Sequence, residues 1–325
     1  MSLFRRRAGR SSAVPGWCAW FSPDEWDAFR ALVEESVRDE RGDGVRVEGD
    51  QPYARGYTRE GQPYMTELAP LAAELRDRPR ALWPAALAEV FQRRNAAVAE
   101  GLRLLDGPFD TVRHRLLPRV ERAGDLPPGT TGRSAARDLG GGLTAVPCLV
   151  TDGGTFTVET AHLAHWDVSP DELWALTTHN LHREPCQNNE FGEPGSGCRV
   201  LTGTGEWTAS HVLRLDELTG GAPHGALVSV PRTDVLLYWA ITGADLFTLG
   251  PYLQAAGREL LARPGGEERR LTTDLLWWSD GVLEPISIPA MGPGAPHSGT
   301  KDDPHVLKVT PRFLEVLKAI GLSRG

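Results

Sequence analysis

The chain has 325 residues and a formal net charge of −8, and 40% of its residues are hydrophobic. That acidic balance excludes a broad electrostatic footprint for nucleic acid. No stretch reaches the ~18 apolar residues needed to span a bilayer, and Arg5-Arg6-Arg7 is followed by polar and small residues rather than an apolar signal core, so the expected compartment is the cytoplasm, where Cys18, Cys148, Cys186 and Cys198 stay reduced.

Residues 1–15 read as a flexible leader. Ser22-Pro23-Asp24-Glu25 then predicts a capping box, with Ser22 as N-cap, and Trp26, Phe29, Leu32, Val33 and Val37 follow at helical spacing. Strands are expected near 45–48 and 64–68, and a helical stripe runs from Leu68, broken at Pro79, to the Gly107-Pro108 stop. Residues 16–108 thus form an N-terminal α/β lobe. Arg113–Val120 reads as a strand, 121–142 as a Pro/Gly/Arg loop, and 145–150 with 155–159 as a hairpin. Ser169-Pro170-Asp171-Glu172 repeats the capping box ahead of a helix with Leu173, Trp174 and Leu181 on its buried face. A Gly/Pro-rich loop follows residue 182, then a strand at Arg199–Thr202 and a short helix at Ala209–Leu218.

The centre of the chain is Ala226–Ile241. Two apolar runs flank the corner Pro231-Arg232-Thr233-Asp234. The second run, Val235–Ile241, is apolar throughout, which predicts protein on both faces of that strand. Period two puts Val235, Leu237 and Trp239 on one face and Leu236, Tyr238 and Ala240 on the other. A helix at 246–261 and a closing hairpin around Asp280-Gly281 complete a second lobe, residues 109–291. Residues 292–305 read as a linker, and Thr310-Pro311 starts a last helix whose Phe313, Leu314, Leu317 and Ile320 require a docking surface. The expected fold is α+β or mixed α/β, a mostly antiparallel sheet covered by helices, in two closely packed lobes.

Several strings carry a family likeness: Gly225 to Leu236 (GALVSVPRTDVL), His179-Asn180-Leu181, Asp280 to Ile286 (DGVLEPI), and Trp207 with Ser210. On these the chain resembles the YtpQ-like family of uncharacterised bacterial proteins over roughly residues 20–291, with the tail outside. The resemblance implies a fold and no activity.

Two constellations bear on chemistry. His179, His182 and Cys186 stand at i, i+3 and i+7, one face of a helix if it extends that far, and Cys198 could close a tetrahedral zinc site. Pro185 and the lack of a Cys-x-x-Cys pair weigh against it, so no cofactor or metal is expected. A hydrolase needs a nucleophile and a base. Ser210 beside His211, with Asp234 and Arg232, are the candidates, but no Gly-x-Ser-x-Gly elbow is present. A structural Asp234 paired with Arg232 or Arg115 is the favoured reading. The reading adopted is a non-catalytic cytoplasmic protein that binds another protein through a sheet edge or aromatic surface, with no nucleic acid or membrane partner. A hydrolase with a polar site around Asp234, Arg232 and Ser210 is the alternative, and a pocket gathering these with Arg115 would favour it.

Overall fold

Ser22 opens the first helix as its spacing predicts in the computed structural model, which describes residues 13–41, 46–47, 53–57, 63–126, 130–152, 154–243, 245–262, 269–288 and 307–322. The leader up to residue 12 and the 292–305 linker lie outside the described residues. The Ser22 N–H donates to Glu25 Oε2 at 2.8 Å, and the Glu25 N–H returns to Ser22 Oγ at 3.3 Å. The chain divides into two units, Met1–Glu100 and Gly101–Gly325.

In the first unit, helix α1 (Pro23–Arg41) is followed by strands β1 (Arg46–Val47), β2 (Tyr53–Tyr57) and β3 (Pro63–Glu67) in an antiparallel sheet of that order. The middle strand was not expected: Tyr53–Tyr57 sits in turn-rich sequence with Gly and Arg at its centre. Helix α2 (Ala69–Leu75) leads to α3 (Trp83–Leu105), inside which the two units divide. Trp26, Phe29 and Val33 of α1 bury against Leu68, Leu71, Leu75, Trp83 and Leu87. Each such side chain contributes roughly 1.5–3 kcal/mol relative to exposure.

The second unit is built on one mixed sheet. Its strands are β4 (Leu116–Arg122), β5 (Arg137–Gly140), β6 (Leu143–Thr151), β7 (Gly154–Thr157), β8 (Cys186–Glu190), β9 (Arg199–Gly203), β10 (Ala226–Arg232), β11 (Val235–Ala240), β12 (Leu275–Ser279) and β13 (Val282–Ile286). The order is β4-β6-β5-β13-β12-β10-β11-β9-β8, with β7 pairing the far end of β6. Among the described residues every pairing of this sheet is antiparallel except β5 with β13. The α+β class and the mostly antiparallel sheet agree with the sequence reading.

The apolar run of β11 has protein on both faces, as its continuity predicts. Leu236 and Tyr238 join one core with Val120, Trp174, Val212, Leu215 and Trp278. Val235, Leu237 and Trp239 join the opposite core, with Leu253 of α9 (Leu246–Ala262) and Phe313 and Leu317 of α10 (Pro311–Ala319). Thr310 caps α10 by accepting the Phe313 N–H at 3.2 Å, so the last helix docks on its own unit. A further core gathers Leu105, Leu116, Leu149 and Leu173 beneath α4 (Phe109–Val112), α6 (Thr160–Trp166) and α7 (Pro170–Asn180).

Helix α9 approaches β10 closely because Gly257 has no side chain. A Cβ there would lie 2.1 Å from Ser229 Oγ and 3.3 Å from Ser229 Cβ. Alanine raises helix propensity by about 1 kcal/mol, yet overpacking of this kind costs about 1–3 kcal/mol. Gly257→Ala is therefore expected to lower the urea midpoint despite its propensity gain. Adding Ser229→Ala should restore most of the loss; a midpoint that rises on Gly257→Ala alone would contradict this packing.

Three segments depart from expectation. The 121–142 stretch is not all loop but contains α5 (Thr130–Arg133) and β5. The region after residue 182 contains β8, a polar edge strand. The expected helix at 209–218 is a 3₁₀ turn, Thr208–Arg214, running into α8 (Leu215–Thr219). No helix among the described residues is long and apolar enough to cross a membrane.

Candidate functional site

The C-terminus of α7 leads into a group of polar side chains that lines a cleft. Ser169 opens this helix with the expected reciprocal cap, its N–H donating to Glu172 Oε2 at 2.9 Å and its Oγ accepting the Glu172 N–H at 3.2 Å. At the other end, the buried Asn180 amide donates to the Arg113 and Leu116 carbonyl oxygens at 2.8 and 2.9 Å. This pins the helix to the start of β4. The chain then makes a 3₁₀ turn at Leu181–Arg183.

Two cavities flank Glu184. The larger, about 330 Å³, is an open cleft lined by His114, Arg115 and Arg183, with Asp152, Asn180 and Glu184. Arg115 Nε reaches His114 Nε2 at 3.4 Å, and neither Arg115 nor Arg183 has a carboxylate partner among the described residues. Burial pushes the Glu184 carboxyl above the ordinary carboxylate range. The smaller cavity, about 150 Å³, lies between Glu184, Pro185 and Cys186 on one side and Gly205, Trp207, Thr208 and His211 on the other.

Arg214 is the hub behind the smaller cavity. Its guanidinium contacts His211 Nδ1 at 3.2 Å, His182 Nδ1 at 2.7 Å, and Glu217 Oε2 at 2.8 and 3.1 Å. Arginine can only donate, so both Nδ1 atoms accept and both rings carry their proton on Nε2. The His182 Nε2 lies 3.5 Å from Glu217 Oε2. The His211 ring is 2% exposed, and its Nε2 has no hydrogen-bond partner. Burial first, then the charge of Arg214, pushes the His211 imidazole down to about 4, so it is neutral at physiological pH.

The hydrolase candidates are engaged elsewhere. Ser210 is fully buried, and its Oγ accepts the Val120 N–H at 3.2 Å. Asp234 accepts from Arg232 Nε at 2.9 Å and Nη2 at 3.1 Å, and from Arg269 Nη1 at 3.2 Å. Burial raises the Asp234 carboxyl, but the hydrogen bonds and charges of Arg232 and Arg269 outweigh it and hold the group below its ordinary range. The Arg232 partner was expected; Arg269 was not. Arg115 lines the open cleft, which none of Asp234, Arg232 and Ser210 borders.

The proposed zinc ligands separate. Helix α7 ends at Asn180, before Cys186, which begins β8. Cys186 pairs with Gly203, whereas Cys198 precedes Arg199 at the other end of the β8–β9 hairpin. Cys198 is five residues from Gly203, so about 17 Å of strand lies between them. Cys186 also packs against the core that holds Leu236, and Cys198 belongs to the opposite core with Leu237. His179 and His182 do meet, with ring centroids 5.6 Å apart. All four cysteines are free thiols, and burial raises the Cys198 and Cys186 thiols and pushes Cys148 up to about 12.

His211 entered the sequence reading only as the neighbour of Ser210. Adjacent residues of a 3₁₀ turn diverge by about 120°, and Ser210 and His211 are both buried because the whole turn from Thr208 to Val212 is covered. No protein-family profile, curated protein or solved structure matches the chain.

Proposed function

We propose that the protein is a non-catalytic binding protein of the cytoplasm, related to the YtpQ-like family, and that it captures an acidic segment of a partner protein in the cleft beside Asn180. The observation that carries this reading is the pair of cations, Arg115 and Arg183, that line the cleft without carboxylate partners among the described residues. Guanidinium groups bind carboxylates with directional, charge-assisted hydrogen bonds. The cleft is also rigidly founded, since the buried Asn180 amide ties its two walls together. The burial of Ser210 and the pairing of Asp234 support a binding role over hydrolysis.

A hexaglutamate peptide is the probe. It is expected to bind the full-length protein at low ionic strength, with affinity falling as salt rises. Arg115→Glu with Arg183→Glu should weaken binding about tenfold or more, equivalent to about 1.4 kcal/mol, while circular dichroism stays unchanged because both side chains are exposed. Equal binding by the double variant, or none by the wild type, would remove the cleft as the recognition site.

A further inference from the structure

The two ends of the large sheet differ in how their edges are protected. Strand β4 stands at one end, and its outer side is blocked at alternate residues. The Leu116 carbonyl accepts the Asn180 amide at 2.9 Å, and the Val120 N–H donates to Ser210 Oγ at 3.2 Å. Pro118 lies between them on the same side and has no N–H to offer a further strand.

Strand β8 stands at the other end without such devices. The Phe191 N–H donates to the Cys198 carbonyl at 2.8 Å, one step beyond the β8–β9 register. Hydrogen-bonded and non-hydrogen-bonded pairs alternate along an antiparallel ladder. Gln187 and Asn189 therefore bond to β9, while the N–H and C=O groups of Cys186, Asn188 and Glu190 point away from it. No second strand pairs with β8 among the described residues. The outward residues do not shield the edge with their side chains: Asn188 Nδ2 donates to Tyr238 Oη at 3.0 Å, and Glu190 Oε1 accepts the Gly195 N–H at 2.7 Å. Natural edges are blunted by Lys, by Pro or by a bulge. Residues 186–190 contain neither Lys nor Pro, and β8 runs along β9 without a register shift.

The symmetry of the strand identifies what fits this edge. A second copy related by a two-fold axis presents the same patch, and its β8 runs antiparallel to the first. The outward residues are spaced evenly about Asn188. An axis at Asn188 therefore sets Asn188 against its own counterpart and Cys186 against Glu190 of the second copy, and each outward N–H meets an outward C=O. Glu190 is the only charged residue of β8 and stands opposite Arg199 of its own chain, so no like charges face each other. We propose that two copies of the chain pair edge to edge through antiparallel β8 strands centred on Asn188, joining their sheets into one. The contact uses none of the residues that line the Arg115–Arg183 cleft.

Sedimentation of the full-length chain is expected to show a dimer whose fraction rises with concentration. Asn188→Pro transfers the Pro118 device to this edge: it removes an outward N–H and no bond to β9, and should give a monomer with native circular dichroism. Asn188→Lys keeps the backbone intact and sets like charges opposite each other, so it should weaken the dimer, less so at high salt. Directly opposite residues of a hydrogen-bonded pair lie about 5.5 Å apart between Cα atoms, within disulfide reach. Oxidised glutathione is therefore expected to link two copies of Asn188→Cys through the new thiol, as read by peptide mass. Wild type should stay unlinked, because this register sets the two Cys186 about 13 Å apart along the strands.

A wild type that is monomeric at every concentration would overturn the proposal and leave the edge to solvent or to an extended segment of another protein. A dimer that persists unchanged in Asn188→Lys, or in a folded Asn188→Pro, would place the contact elsewhere. A dimer weakened by these changes but not linked in Asn188→Cys would overturn the antiparallel register. None of these results bears on hexaglutamate binding in the cleft.

Discussion

Phe313→Ala is expected to lower the stability of the 101–325 unit by about 3–5 kcal/mol, as large-to-small changes of fully buried aromatic residues do. Phe313 is 0% exposed and meets the Trp277 ring edge-on at a centroid distance of 5.1 Å. Leu317, one turn on, enters the same core. A helix of nine residues is marginal alone in water, so α10 forms because it docks. Its N-terminus is fixed by the Thr310 cap and a Thr310 hydroxyl contact to Glu284. Arg312 pairs with Asp280 and Glu284 while its guanidinium lies 5.2 Å from the Trp277 ring centroid. Urea unfolding followed by tryptophan fluorescence reads the effect directly, because Trp277 is the neighbour lost. An unchanged midpoint would show that α10 contributes nothing to its own unit. A loss of dimer or partner with stability intact would make it an interaction element instead.

Asp234→Ala is expected to cost about 2–3 kcal/mol at neutral pH. Removing one member of a buried ion pair costs about 3–5 kcal/mol; the Asp234 and Arg232 side chains each retain 15% exposure, which reduces it. The loss arises because Arg232, in the corner between β10 and β11, and Arg269 both lose the hydrogen bonds and charge of the Asp234 carboxylate. The pH dependence follows from the depressed carboxyl. A group whose folded pKa lies below its unfolded value, near 3.9, contributes in full above that value and loses the contribution as pH falls through the folded one. Wild type and variant should therefore differ by a constant amount above about pH 5 and draw together only as pH falls through the folded value of the Asp234 carboxyl. A difference that grows above neutral pH would point to another titrating group.

How much of this was legible in the sequence depended on whether the cue was local. The capping boxes at Ser22 and Ser169 and the cap at Thr310 each need only three residues, and each forms as expected. The two faces of β11 follow from strand periodicity within an apolar run. By contrast, β8 (Cys-Gln-Asn-Asn-Glu) has no apolar alternation, because it is an edge strand whose residues 187–190 are all exposed. Strand β5 is four residues long and sits in Arg- and Gly-rich sequence; it exists because β6 and β13 hold it from either side. Helix α6 was hidden by an unusual cap, in which Glu159 and His162 take the roles of Ser and Glu. The site was less legible still. The ligands of Arg214 come from residues 182, 211 and 217, brought together only by the turn after α7, and no periodicity in the sequence marks that meeting.

The parallel rung between Gly140 and Leu283 has a further consequence for biogenesis. Strand β13 stands between β5 and β12, and it is the only strand that joins β4–β7 to β8–β12 among the described residues. Among the described residues it is also the last strand to be translated. At about 5–20 residues per second, the β4–β7 ladder leaves the ribosome many seconds before the strand that completes its neighbour. During that interval the nascent chain carries the β4–β7 ladder with an open edge at β5, while β12 precedes its partner β13 by only a few residues. Closure of the sheet therefore waits on β13, and until that strand is made the open edge of β5 is the place where another strand could pair wrongly.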